Sequence, residues 1–341
     1  MMNNDDMSSR ADNVSGDPIA KAREMLVNGI AAGDSFDRAR FTGLDLSGLD
    51  LKEGDFKNAD FADAVLTGSD LSNAILTGAN LSGADLSGAN LSGASLPNAD
   101  LSDARLENAC LADADLTGAR LVGTHLSGAD MRDAIFEHTV MTNADLENVK
   151  AVDTYFTESD LSGARFVKAV LTGADFSKCR LNETDFRGAV LTDASVDGAE
   201  GKRVNFEGAD LTRLRASEGC DFTEGRFIKT AAMESIWHDA VLTDADFSYA
   251  RMEGADFTKA MLERANFYAV DMKYGRFRKA KLMGAKLVKM NLFEGTFEKA
   301  DLSNADLSGS NMYACEFLET MIEGTIFKNT NLKMTKLSHH G

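Results

Sequence analysis

The segment from Ala79 to Leu101 reads ANLSGADLSGANLSGASLPNADL. A large apolar residue returns every five positions, a small residue stands two positions before it, and a polar residue, most often Asp or Asn, lies between them. A helix repeats at about 3.6 residues and a strand at 2, so neither explains a period of five. A chain that turns a corner every five residues and points the same position inward does explain it. The sequence therefore predicts a solenoid.

The same period continues through almost the whole chain. We call the large apolar position the centre position. Counting in steps of five from Phe41 to Ala216 and, after one added residue, from Phe222 to Leu337 gives 60 centre positions. Leu, Phe, Met, Ile, Val or Trp occupies 56 of them, and the exceptions are Ala151, Gly201, Ala216 and Ala232.

Aromatic centre positions repeat at 20 residues, which gives the next level of organisation. One series is Phe136, Phe156, Phe176, Trp237, Phe257, Phe277, Phe297 and Phe317, and the other is Phe166, Phe186, Phe206, Phe227, Phe247 and Phe267. Four five-residue units therefore make one turn of a four-sided coil. Sixty centre positions predict about fifteen coils, stacked about 4.8 Å apart over a length of roughly 70 Å.

From Phe41 to Leu337 the pattern resembles the pentapeptide-repeat family, whose motif is a small residue, Asp or Asn, Leu or Phe, and two polar residues. The resemblance implies an all-β solenoid, a right-handed quadrilateral parallel β-helix. It also implies that the centre and small positions are buried and that the other three face outward. It implies little about activity.

The N-terminal region lacks the repeat. Residues 1–16 are polar and are expected to be disordered. Residues 17–33 are predicted to form a short helix, with Asp17 as N-cap, Pro18 at the first helical position and Gly33 at the end. We expect this helix to cap the open end of the first coil, or alternatively to dock a partner. The remaining residues, 34–341, are assigned to the β-helix.

Composition limits the cellular setting. The net charge of -18 argues against direct nucleic-acid binding. No apolar run is long enough to span a bilayer, and MMNNDDMSSR lacks the apolar core of a signal peptide. We therefore expect no membrane association and a bacterial cytoplasmic location, with export by a dedicated secretion system as an alternative. Three cysteines, Cys179, Cys220 and Cys315, occupy small positions, and Cys110 faces outward, so no disulfides are expected.

Residues 41–200 are strongly acidic, with 27 Asp or Glu against 11 Lys or Arg. Short Asp and Asn side chains beside corners can bond to nearby backbone and support tight turns. The alternative is a surface that imitates the charge of a DNA backbone.

The repeat is irregular between about residues 197 and 237, where Gly201, Ala216 and Ala232 leave small centre positions and one residue is added before Phe222. A bulge or loop tip is predicted there. Because binding residues often lie on loops of rigid scaffolds, its basic residues are candidates for partner binding. The four selected are Lys202, Arg203, Arg213 and Arg215.

Residues 251–290 reverse the local charge, with ten basic residues against four acidic ones. Lys259, Lys279 and Lys299 are 20 residues apart and should stack on one side. An acidic partner, or the acidic half of another copy, could bind here, and a solvated surface is the alternative. The candidate residues are Lys259, Arg264, Arg276, Arg278, Lys279, Lys281, Lys286, Lys289 and Lys299.

No catalytic, cofactor or metal site is predicted, because the histidines lie apart from cysteines and from one another except for His339 and His340. The expected class is therefore not an enzyme. The repeat runs to Leu337, and a homodimer through the C-terminal end would cover its last coil.

The sequence is compatible with two functions. The first is a protein–protein interaction scaffold or adaptor. The segment AKAREMLVNGIAAGDSFDRARFTGLDLSGLDL, residues 20–51, is similar to pentapeptide proteins encoded with bacterial type VI secretion clusters, which implies effector or spike components as partners. The second is DNA mimicry, since some family members are acidic dimers that bind a type II topoisomerase and protect gyrase from quinolones.

Overall fold

The computed structural model describes residues 18–337, which divide into two compact units, residues 18–169 and 170–337. In both units, residue i pairs with residue i+20 through a parallel bridge, as Asp45 does with Val65 and Val170 with Val190. Each coil therefore contains four five-residue units. This confirms the predicted parallel β-solenoid with four sides, while the total of about fifteen coils stays a prediction.

A single α-helix, α1, spans Pro18–Ala32 within the described residues. It ends in a Schellman motif, because the amide of Gly33 donates to Ile30 at 2.9 Å and that of Asp34 donates to Gly29 at 2.9 Å. Gly33 has a φ of 78°, which glycine adopts at little cost. The predicted N-cap, Asp17, and the expected disordered segment 1–16 lie outside the described residues.

Helix α1 packs against the first coil. Leu26 is 0% exposed, and a Cβ on Gly29 would lie 2.7 Å from Cζ of Phe36. Arg23 donates to the carbonyl oxygens of Asp45 at 3.0 Å and Ser47 at 2.7 Å. These contacts are of the kind that a covering helix would make, and the capping role itself stays a prediction.

Residues 18–169 form the first unit, whose core is built from centre residues of Leu, Phe and Met with Ala in most small positions. Near α1 the core is aromatic, and the rings of Phe41 and Phe61 stack at 4.7 Å. Phe36 also occupies a buried centre position, so the repeat begins one five-residue unit before the first one counted from the sequence.

Residues 170–337 form the second unit, whose core contains two aromatic columns. Phe227, Phe247 and Phe267 stack at 4.6 and 4.8 Å in one column, and Trp237, Phe257 and Phe277 stack at 5.8 and 5.4 Å in the other. Rings of the two columns also meet edge to face, with 5.6 Å between Phe247 and Phe257. The columns predicted from the 20-residue spacing are thus confirmed within this unit.

The irregular stretch is compact. Bridges span 21 residues from Glu200–Asp221 to Arg215–Ile236 and return to 20 at Asp221–Val241, so one added residue is absorbed at the corner after Ala216. The structure therefore shows a local bulge of one residue. The ring of Phe222 fills the space beside Gly201, since a Cβ on that glycine would lie 2.9 Å from the ring carbons.

Only short extended strands are present in the described residues. Strand β1, Glu316–Phe317, pairs in parallel with β2, Lys336–Leu337. The other coils are joined by single bridges at each side, separated by tight turns.

Candidate functional site

Corner aspartates and asparagines have a structural role. The Oδ1 atom of Asp100 accepts the backbone N–H of Ser102 at 2.9 Å and its hydroxyl at 2.6 Å. Asp85 with Ser87 and Asp210 with Thr212 repeat this arrangement. These are Asx turns, so the side chain replaces a backbone acceptor at the corner. Much of the acidity of the chain thus serves the turns.

Three acidic residues at a different position of the repeat accept no Asx-turn hydrogen bond from a described residue. Asp113, Asp133 and Asp153 lie 20 residues apart at an exposed corner position with φ of 53–60°. None of the three makes an ion pair with residues 18–337. We call these three residues the aspartate ladder.

The four basic candidates in the irregular stretch are mostly neutralised. Arg203 pairs with Glu183, Arg213 with Asp193 at 2.6 Å and Arg215 with Asp197 at 3.2 Å. The Arg213 guanidinium lowers the pKa of the Asp193 carboxyl by hydrogen bonding. Lys202 forms no ion pair with a described residue. This region therefore offers little free positive charge.

The nine basic candidates between Lys259 and Lys299 differ in whether they have a partner among the described residues. Five of them bind carboxylates of neighbouring coils, and Lys289 donates to the Tyr268 hydroxyl at 3.0 Å. The carboxylate pairs are Lys259–Asp239 at 3.5 Å, Arg264–Asp244 at 2.7 Å, Arg276–Asp256 at 3.4 Å, Arg278–Glu298 at 3.2 Å and Lys299–Glu319 at 3.7 Å.

Three candidates keep an uncompensated charge. Lys279, Lys281 and Lys286 are exposed and lie within 4.0 Å of no carboxylate in the part of the chain that the structure describes. They belong to one stretch, residues 272–293, which contains seven Lys or Arg and no Asp or Glu. We call this stretch the basic coil. Its charges lie on three sides, because Arg276, Lys281 and Lys286 occupy bridge positions on successive sides.

The structure also places Lys259, Lys279 and Lys299 at equivalent corners of successive coils, with φ of 58–62°. The amide of Lys259 donates to Arg278 and that of Lys279 to Glu298, each at 2.8 Å, so the three lysines follow one edge. We call them the lysine ladder.

Sequence reasoning missed an exposed aromatic surface beside the basic coil. Tyr249 and Tyr274 are 54% and 47% exposed, and the rings of Phe293 and Tyr313 stack at 5.4 Å. The signal was present, because aromatic residues rarely suit the two polar positions after a centre residue.

Metal-binding sites and reactive thiols each require a particular arrangement or environment of side chains. Within residues 18–337, no group of three or more His, Cys, Asp or Glu is arranged to hold a metal ion. Burial raises the pKa of the Cys315 thiol to about 12, which disfavours its reactive thiolate form. No helix in this part of the chain is long and apolar enough to cross a lipid bilayer.

Comparison with solved structures finds other solenoids. HetL, a pentapeptide-repeat protein involved in heterocyst differentiation regulation in the cyanobacterium Nostoc, is 25% identical over 74% of this chain and 88% of its own, with a TM-score of 0.39. A trypsin-treated variant of QnrB1, a plasmid-mediated fluoroquinolone resistance protein, is 19% identical over 53% of this chain and 92% of its own, with a TM-score of 0.49. A protein of the Arabidopsis thaliana thylakoid lumen is 30% identical over 28% of this chain and 68% of its own, with a TM-score of 0.28.

A search of curated protein sequences gave no match. Family models, however, cover most of the solenoid. The model for pentapeptide repeats matches residues 39–78, 74–111, 109–148, 238–273 and 296–333, and that for a pentapeptide repeat region matches residues 129–215. Because these matches cover more than half of the 341 residues, the chain belongs to the pentapeptide-repeat family.

Proposed function

We propose that this protein is a non-enzymatic protein–protein interaction scaffold whose basic coil binds an acidic partner. The observation that carries the proposal is the charge of residues 272–293, where seven cations have no acidic residue among them. Within this stretch Lys279, Lys281 and Lys286 are exposed and make no ion pair with a described residue. Cations left unpaired on a rigid surface favour association with an acidic surface.

The exposed rings beside this coil strengthen the proposal. Tyr and Arg are enriched in the energetically important centres of interfaces. Tyr249 and Tyr274 also adopt positive φ, which costs a bulky residue stability. Neither fills the core, so their benefit is expected at a contact.

Affinity capture from the native host tests this proposal. The intact protein is compared with a variant carrying Lys279→Glu, Lys281→Glu and Lys286→Glu. A matched control carries Lys57→Glu, Lys150→Glu and Lys229→Glu, which change the net charge equally. We expect the first variant alone to lose the main partner by quantitative mass spectrometry. Equal recovery by both variants would refute the basic coil as the docking surface.

We further propose that the scaffold acts as an adaptor in type VI secretion. This role is supported by the similarity of residues 20–51 to proteins encoded with such clusters, and it predicts that effector or spike components are the captured partners. Capture of unrelated proteins would leave the scaffold but remove this assignment.

DNA mimicry is the second candidate function. The observation in its favour is the aspartate ladder, which makes no ion pair with a described residue, on an acidic first unit. The basic coil opposes it, because a mimic should be acidic over the surface that enters a DNA-binding groove. A gyrase supercoiling assay, with and without a quinolone, decides the matter. Inhibition or protection at micromolar protein would support mimicry, and neither effect would remove it.

We also propose that the last coil packs against a second copy. Its centre residue Ile322 is 41% exposed, whereas the centre residue one coil earlier, Leu302, is 0% exposed. Burial of apolar centre residues would make such a dimer insensitive to salt. Light scattering that showed only the 36.7 kDa monomer at micromolar concentration would reject it.

A further inference from the structure

The aspartate ladder and the lysine ladder occupy the same position of the repeat. Each places one charged side chain on each of three successive coils, at the second residue after a centre residue. All six residues have φ of 53–62°. The two ladders therefore have the same spacing, about 4.8 Å per coil, which the backbone of the solenoid fixes.

The charge of the aspartate ladder is unusual for this molecule. Three carboxylates follow one edge without an ion pair, so they repel each other along the ladder. On the lysine ladder, Lys279 is equally unpaired. The outer two lysines are partly compensated, Lys259 by Asp239 at 3.5 Å and Lys299 by Glu319 at 3.7 Å.

We propose that the lysine ladder of one copy binds the aspartate ladder of a second copy. This rests on the proposed function, since the central lysine of the ladder, Lys279, belongs to the basic coil, and the proposal names another copy of this chain as the acidic partner. Complementary charge brings the two edges together, and equal spacing lets three ammonium groups face three carboxylates at once. Pairing also relieves the repulsion within each ladder.

The spacing argues for another β-solenoid over other acidic partners. Successive residues of an extended strand rise by about 3.3 Å, and phosphates of one DNA strand are about 3.4 Å apart along the helix axis. Neither matches a ladder of three charges that are about 4.8 Å apart over two steps. An acidic solenoid with one carboxylate per coil matches it, and the first unit of this protein supplies one.

The association should be weak and dependent on salt. All six side chains are exposed, and exposed ion pairs contribute little individually. We expect the association constant to fall by roughly tenfold between about 10 mM and about 150 mM salt, as the Debye length shortens from about 30 Å to about 8 Å.

The contact is tested by reversing the charge of each ladder in a separate variant and then mixing the two variants. Association is measured by sedimentation velocity at high micromolar protein. One variant carries Lys259→Glu, Lys279→Glu and Lys299→Glu, and the other carries Asp113→Lys, Asp133→Lys and Asp153→Lys. Both should fold, because Glu158 and Lys168 already occupy this corner position with φ of 60° and 57°. Circular dichroism of each variant checks this.

Each variant alone should lose the salt-dependent association, and an equimolar mixture should recover it, because every contact in the mixed pair is again between opposite charges. A wild-type protein that stays monomeric at low salt would overturn the proposal. So would single variants that keep the salt-dependent association, or a mixture that does not regain it. A different pair of results would separate the two proposals. If the wild-type protein is monomeric, but the Lys279→Glu, Lys281→Glu and Lys286→Glu variant loses a host protein in affinity capture, only the self-association is overturned and the scaffold function is retained.

Discussion

Aspartate at the bridge position is worth more as a hydrogen-bond acceptor than as a charge. Replacing Asp100 by Ala removes the acceptor for both the N–H and the hydroxyl of Ser102. We expect the free energy of unfolding to fall by about 1 kcal/mol. Asp100→Asn keeps Oδ1 and should lose much less, as measured by the midpoint of urea unfolding. Equal losses for Ala and Asn would show that the charge, and not the acceptor, stabilises the corner.

The corner bonds also predict the effect of acid. The Ser47 side-chain hydrogen bond lowers the pKa of Asp45, and Arg213 and Arg264 lower those of Asp193 and Asp244. These pKa values lie below the unfolded value of about 3.9, so the unfolded chain binds more protons as the pH falls. The stabilisation is complete above about pH 4 to 5 and is lost progressively as the pH falls through the lowered values.

Thermal unfolding measured from neutral pH down to about pH 3 tests this direction. The melting temperature should be flat near neutrality and fall in acid. Asp193→Asn should weaken that fall. A melting temperature that rose on acidification would contradict the assigned shifts.

Gly201 illustrates a residue whose size is set by its neighbour in the next coil. A Cβ there would lie 2.9 Å from two carbons of the Phe222 ring. Gly201→Ala is therefore expected to destabilise the protein by about 1–3 kcal/mol through overpacking. In a double-mutant cycle, Phe222→Leu should reduce that penalty, because the shorter side chain leaves room. Additive effects would mean that Phe222 does not limit the site.

At the scale of elements, helix α1 depends on close approach to the first coil. Gly29→Leu should push the helix away from Phe36, whose ring lies 2.7 Å from the position of the new Cβ. Amide hydrogen exchange should then rise at Phe36 and Arg38. Asn28→Leu, at an exposed neighbouring position, is the control. Unchanged exchange in the Gly29 variant would argue against a covering role.

The bulge after Ala216 is the other irregular element. It adds one residue without interrupting the bridges on either side, since pairing passes from Glu200–Asp221 to Asp221–Val241. A corner can accept an extra residue because its turn is exposed, whereas an insertion at a centre position would shift the core. Three arginines of this region, Arg203, Arg213 and Arg215, pair with carboxylates of neighbouring coils.

At the scale of the whole molecule, stability should be distributed along the repeat. Stacked repeats contact only their neighbours, so a local loss of packing is felt most strongly nearby. Phe257 stacks on Trp237, the only tryptophan, at 5.8 Å in the second unit, whereas Phe136 lies in the first unit.

Each Phe→Ala change should cost about 3–5 kcal/mol locally. We expect Phe257→Ala to shift the unfolding transition seen by Trp237 fluorescence more than Phe136→Ala does. Equal shifts would indicate one fully cooperative unit.

The repeat, its four-sided coil and the stacking of aromatic centres can be predicted from the spacing of residues alone, because a period of five repeated at 20 has few geometric solutions. Tertiary structure decided which charges remain available. Arg213 and Lys281 look equally promising in the sequence, but Arg213 meets a carboxylate on a neighbouring coil, whereas Lys281 meets none among the described residues. The length and rotamer of a basic side chain determine which carboxylate it contacts, and the spacing of the repeat specifies neither. The exposure of Tyr249 and Tyr274 is likewise known only from the structure. The same holds for the fit of Phe222 beside Gly201, which is a contact between residues about one coil apart.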